Sequence, residues 1–214
     1  MAVKKLLRLP CLCVVTDSQR YQVDTLVDSL VNAVKGGADM IQIREKSLED
    51  ESLSDLIRNV VRSVESTTHI LVNGNPKIAC DEGVGVHLPE MGDLVSNVRA
   101  IIGSNALVGK SVHSVYSAIA AEKQGADFLI AGTMFSTNSH PDKIPEGPDL
   151  IRAMKDSGEV SIPILGIGGI TPDNARIVLD AGASGVAVID SVLGSPDPSE
   201  AARRLKTVLY DSVI

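Results

Sequence analysis

Tryptophan is absent from this 214-residue chain, and aromatic residues of all kinds make up only 2% of it. A core without large rings must rest on Val, Ile, Leu and Ala, which suits many short buried strands. The same shortage argues against binding single-stranded nucleic acid, which relies on aromatic platforms. Excess positive charge is also missing. The formal net charge is −7 and the pI is about 5.1, which disfavours nucleic-acid or anionic-membrane surfaces. Cysteine is scarce: Cys11, Cys13 and Cys80 form neither an even disulfide set nor a metal-binding spacing. Cys11 and Cys13 share one face of a strand as small core residues, and a reducing, cytoplasmic setting is the expectation. No His-x-x-x-His, Cys-x-x-Cys or clustered Asp pattern appears, so no metal site built wholly from side chains is expected. The N-terminal stretch is interrupted by Pro10 and runs straight into a strand, and it reads as neither signal peptide nor membrane span.

What is present is repetition. Eight short apolar runs alternate with helical patterns: Cys11–Thr16, Met40–Arg44, His69–Val72, Val84–Leu88, Leu107–Val112, Phe128–Ala131, Ile162–Ile167 and Gly185–Ile189. The helix-to-strand junctions Gly36-Gly37-Ala38-Asp39, Gln124-Gly125-Ala126-Asp127 and Ala181-Gly182-Ala183-Ser184 echo one another. Such a pattern predicts an α/β protein, a single (β/α)8 TIM barrel over residues 1–214, in preference to an open doubly wound sheet. The long polar segment between Gly132 and Pro148 reads as a functional loop over the site rather than as a linker.

In such a barrel, polar residues at the C-terminal ends of strands belong to the active-site face. Period-two alternation puts Gln42, Arg44 and Lys46 on one side of the second run, opposite Ile41 and Ile43. Two inward cations require an anionic ligand or inward carboxylates. Ser111 and His113 share parity at the fifth strand end, where His113 is suited to move protons near neutral pH. Asn73 either hydrogen-bonds a heterocycle edge or builds the turn, and His87 is favoured as a wall residue. The loop residues Thr137 and Ser139 carry hydroxyls suited to oxyanions. Gly168-Gly169 leaves a strand ahead of Thr171, a good N-cap, and Pro172, which fits the first helical position. That glycine pair is either a seat for phosphate or a tight turn that binds nothing.

Five motifs in order resemble the thiamin-phosphate synthase/TenI superfamily, which shares the (β/α)8 fold. They are Gln42-Ile43-Arg44-Glu45-Lys46, Val86-His87-Leu88, Gly109-Lys110-Ser111-Val112-His113-Ser114, Gly125-Ala126-Asp127 and Ile167-Gly168-Gly169-Ile170-Thr171-Pro172. The resemblance implies substrate contacts at Gln42, Arg44, Lys46, Asn73, Ser111, Thr137 and Ser139, and a phosphate site at Gly168, Gly169, Ile189, Asp190 and Ser191. Its synthase branch joins a pyrimidine diphosphate to a thiazole phosphate with magnesium. Its TenI branch shifts the double bonds of a thiazole carboxylate phosphate with a histidine, here His113, as proton shuttle. The synthase pattern has aspartates after the third and fourth strands, where this chain has Gly74 and Gly92, and a lysine in the hydroxyl loop, where it has His140. On these residues the leading expectation is a TenI-like thiazole tautomerase needing no cofactor. The alternatives are a magnesium-dependent synthase and a non-catalytic thiazole-phosphate binder. The implied partner is the small-molecule thiazole phosphate, with a homodimer paired through barrel helices as a further expectation.

Overall fold

The computed structural model describes residues 7–17, 23–137 and 144–211. Its eight strands are β1 (Cys11–Val15), β2 (Met40–Ile43), β3 (His69–Asn73), β4 (Gly85–Leu88), β5 (Val108–Val112), β6 (Phe128–Gly132), β7 (Ile164–Ile167) and β8 (Gly185–Val188). All neighbours are parallel, and β8 pairs with β1 to close the barrel. The open-sheet alternative is thereby excluded. The helices are α1 (Val23–Lys35), α2 (Asp50–Ser63), α3 (Pro76–Asp81), α4 (Val95–Ile102), α5 (Val115–Lys123), α6 (Asp149–Asp156), α7 (Ala175–Asp180), α8 (Asp190–Leu193) and α9 (Pro198–Asp211). No helix among the described residues is long and apolar enough to cross a membrane.

Strand alternation sorts the core into two layers. Leu12, Val14, Ile41, Ile43, Val86 and Leu88 face outward and pack beneath the helices. Cys11, Cys13, Val15, Met40, Leu71, Phe128, Ile130, Leu165 and Ala187 fill the barrel itself. The interior therefore holds two thiols and one phenyl ring where branched side chains are more usual. Phe128 takes its room from Gly109, whose Cβ position would lie 2.3 Å from the ring. Burial pushes both inner thiols up: Asp39 adds to this at Cys11, and Cys11 and Asp39 add to it at Cys13, so neither acts as a nucleophile at neutral pH.

The echoed Gly-Ala-Asp junctions have a shared physical role. Asp39 Oδ2 accepts the Leu12 N–H at 2.8 Å, and Asp127 Oδ2 accepts the Val108 N–H at 2.8 Å, each aspartate tying its strand to the one before. Each also meets a cation from a helix: Lys206 of α9 for Asp39, and Arg99 of α4 for Asp127 at 2.5 Å. Lys206 further donates to the Pro10 carbonyl at 2.6 Å, so the bottom of the barrel is fastened across β1, β2 and α9.

One local expectation needs correction. The helix after β7 does not start at Thr171-Pro172. Asn174 Oδ1 accepts the Thr171 N–H at 2.8 Å and its amide donates to the Gly169 carbonyl at 3.0 Å, which holds 171–174 in a turn and delays α7 to Ala175. The segment after β8 is the four-residue helix α8, with Ile189 at its N-cap.

Candidate active site

The C-terminal mouth of the barrel opens into a cavity of about 470 Å³. β2 brings Gln42 to it, Arg44 follows just past the strand end, and Lys46 reaches it from the turn beyond. Asn73 and Ser111 reach it from β3 and β5, and His113 from just beyond β5. Thr137, Gly168, Gly169, Ile189, Asp190 and Ser191 complete the opposite rim. Twelve of the thirteen residues expected from sequence thus line one cavity, while Ser139 lies outside the described residues.

Local structure explains these placements. Thr16 Oγ1 accepts the Arg44 N–H at 2.9 Å, holding the chain extended past the end of β2. β3 runs through Asn73, and the turn chemistry falls to its neighbours: Gly74 has φ of 72°, and Asn75 caps α3 by accepting the Ile78 N–H at 3.1 Å. Ser114 and Ser117 form a capping box on α5, which fixes the backbone next to His113. Ser191 Oγ donates to the Ile170 carbonyl, tying α8 to the glycine turn.

Gln42 is 3% exposed, and its Oε1 is buried without a hydrogen-bond partner. His87 is equally buried. Its Nδ1 lies 3.2 Å from Asn73 Nδ2, its Nε2 lies 3.4 Å from Ser111 Oγ, and its ring stacks on Phe128 at 6.3 Å. Burial, reinforced by the Lys110 and Arg44 charges, pushes its pKa down to about 3, so it is neutral at physiological pH.

His113 is set between two carboxylates. Its Nδ1 meets the Gly132 carbonyl and lies 3.4 Å from Glu146, while its Nε2 lies 3.9 Å from Glu90. A carbonyl only accepts, so Nδ1 carries a proton, and Nε2 is the basic nitrogen of the neutral ring. Glu90 also accepts the His113 N–H at 3.1 Å, and Glu146 accepts the Thr133 N–H.

Asp17, Glu90 and Thr133 line the cavity as well, and they were not among the residues expected from sequence. Glu90 and Glu146 sit in loops whose approach to His113 no spacing rule foretells. The parity of β4 does place His87 inward, between outward-facing Val86 and Leu88.

A family model described as "Thiamine monophosphate synthase" matches residues 12–192. The chain belongs to that family. Among its relatives, a thiamine-phosphate synthase of Chlorobium limicola is 37% identical over 209 residues, covering 95% of this chain and 96% of the relative. One from Moorella thermoacetica is 42% identical over 183 residues, covering 83% and 85%. The solved structure of a thiamine phosphate pyrophosphorylase from Pyrococcus furiosus superposes with a TM-score of 0.85 at 30% identity, covering 95% of this chain and 97% of that one. These relatives bear synthase names and not the name of the TenI branch.

The synthase branch implies magnesium, a hard cation that takes oxygen ligands. On the resemblance Gly74 and Gly92 stand where its carboxylates would, and both line a separate, more open pocket rather than the cavity. The carbonyls of Gly92 and Asp93 are taken by the Lys110 ammonium, at 3.3 and 3.0 Å. Among the described residues no group of three or more His, Cys, Asp or Glu is placed to hold a metal ion. A carboxylate-held magnesium does not fit this donor set.

Proposed function

We propose that this chain couples a pyrimidine diphosphate to a thiazole phosphate, the reaction for which its relatives are named. The observation that carries this reading is the buried, unpartnered Oε1 of Gln42. Leaving such an acceptor unmet costs roughly 1–3 kcal/mol, so the amide gains by turning toward a ligand N–H in the cavity that Gln42 lines. The pyrimidine of thiamin synthesis has an exocyclic amine. A thiazole carboxylate phosphate offers acceptors only.

In the coupling, the bond from the pyrimidine's methylene carbon to the diphosphate oxygen breaks, and one to the thiazole nitrogen forms. Diphosphate leaves as an anion. Arg44 and Lys46 line the same cavity as Gln42 and are the cations that meet it. The thiazole phosphate is assigned to the rim at Gly168, Gly169 and α8. No step is routed through magnesium.

One observation favours the second reading, the thiazole tautomerase that leads on sequence alone. His113, with a carboxylate near each ring nitrogen, is equipped for proton transfer.

The test supplies purified protein with both substrates and follows thiamine phosphate and pyrophosphate, alongside a Gln42→Leu variant. Coupling is expected, weakened about 10- to 100-fold in the variant, in line with one lost buried hydrogen bond. Absence of product at high enzyme concentration removes the coupling reading. Isomerisation of thiazole carboxylate phosphate by the parent protein but not by His113→Asn would put the tautomerase in its place. Binding without either turnover would leave a non-catalytic binder.

A further inference from the structure

The cavity wall between β3 and β5 has a hydrogen-bond polarity that follows from one buried imidazole. Asn73 Nδ2 can only donate, so the His87 Nδ1 it meets at 3.2 Å is the accepting nitrogen of a neutral ring. The ring proton then sits on Nε2, directed at Ser111 Oγ 3.4 Å away. The plane of the ring is set by its stack on Phe128, which is itself seated over Gly109. The cations facing His87, Lys110 from β5 and Arg44 from β2, oppose a second proton.

Two consequences reach the cavity. The Asn73 amide directs its NH2 at the imidazole, which leaves Oδ1 as its group for a ligand. The Ser111 oxygen accepts from Nε2–H, which leaves its own proton to donate. Both side chains line the cavity together with Gln42. A heterocycle edge with an N–H donor beside a ring-nitrogen acceptor fits this set. An oxo analogue with the two roles exchanged does not.

We propose that His87 is a positioning residue that fixes the donor–acceptor polarity of the cavity wall and so makes the site select amino- over oxo-heterocycles. The choice of an aminopyrimidine as ligand rests on the coupling reading, whereas the polarity itself does not.

The experiment has two arms. In the first, calorimetry measures binding of an aminopyrimidine phosphate and its 4-oxo counterpart to the parent protein and to His87→Leu. The parent is expected to prefer the amino form by about tenfold or more, the worth of one or two correctly oriented bonds. Freed to turn over, the Asn73 amide in the variant should accept either ligand, and the preference should fall to within about threefold. Equal weakening of both ligands with the preference kept, or no preference in the parent, overturns the proposal. In the second arm, imidazole nitrogen shifts of the unmodified protein at pH 7 are expected to show His87 neutral with the proton on Nε2. A protonated ring or the Nδ1–H form overturns the proposal, including where His87→Leu fails to fold. If neither pyrimidine binds while the Nε2–H form is seen, the coupling reading fails and the polarity stands.

Discussion

Gly169→Ala tests how the loop after β6 is built into the candidate phosphate rim. Gly169 has φ of +61°, and a Cβ there would lie 2.4 Å from the Ser136 carbonyl oxygen and 2.9 Å from Phe135 Cβ. Gly83 has nearly the same φ, +67°, with nothing within 4 Å of its Cβ position. Alanine at Gly83 therefore pays only the left-handed backbone strain, about 1–2 kcal/mol. At Gly169 the same strain is joined by a backbone clash that no rotamer relieves, worth about 1–3 kcal/mol more. Urea denaturation of the two variants at one pH isolates the clash by difference. An excess of about 1–3 kcal/mol for Gly169→Ala is expected. It should be accompanied by weaker binding of thiazole phosphate, because relief of the clash pushes residues 133–137 off the rim. Equal destabilisation of the two variants, or unchanged ligand binding, would refute the packing argument.

Other expectations follow from the same contacts. Lys206→Met strands the buried Asp39 carboxylate and should cost about 3–5 kcal/mol by urea melt, whereas Lys77→Met, at an exposed pair with Asp81, should leave the melt unchanged. His87 is depressed to about 3 in the folded protein and titrates near 6.5 when unfolded, so its contribution is complete above about pH 6.5 and is lost as the pH falls toward 3. Between pH 7 and pH 5 that loss is about 2 kcal/mol, and a His87→Leu variant should show a shallower fall by that amount in parallel urea titrations. Arg44→Gln should weaken diphosphate binding about tenfold or more and flatten its salt dependence, read by calorimetry at two ionic strengths, because it removes a cation from the cavity.

The barrel was legible in the sequence because its signal is repeated eight times, each strand bounded by turn residues. The inward side of β2 was legible for another reason: Ile41 and Ile43 have to face the helices, which leaves Gln42 one direction only, whereas Lys46 reaches the same cavity from the turn beyond the strand and not by alternation. Contacts that join separate loops were not legible. Glu146 reaches His113 from far along the chain, and Asn174 overrides the capping signal of Thr171-Pro172 by binding the backbone on both sides of it. The aspartates of the Gly-Ala-Asp junctions were seen as an echo, but their role in holding the preceding strand depends on barrel register. The weight between coupling and tautomerisation also shifted. Gly74 and Gly92 argue for the second from sequence alone, whereas the unpartnered Gln42 oxygen and the names of the relatives argue for the first.

The most direct test of the central claim is a single reaction holding purified protein, pyrimidine diphosphate and thiazole phosphate, in which thiamine phosphate and pyrophosphate are quantified together. Coupling predicts equimolar appearance of the two products, dependent on both substrates. Their absence, with thiazole carboxylate phosphate isomerised by the same preparation, would contradict it.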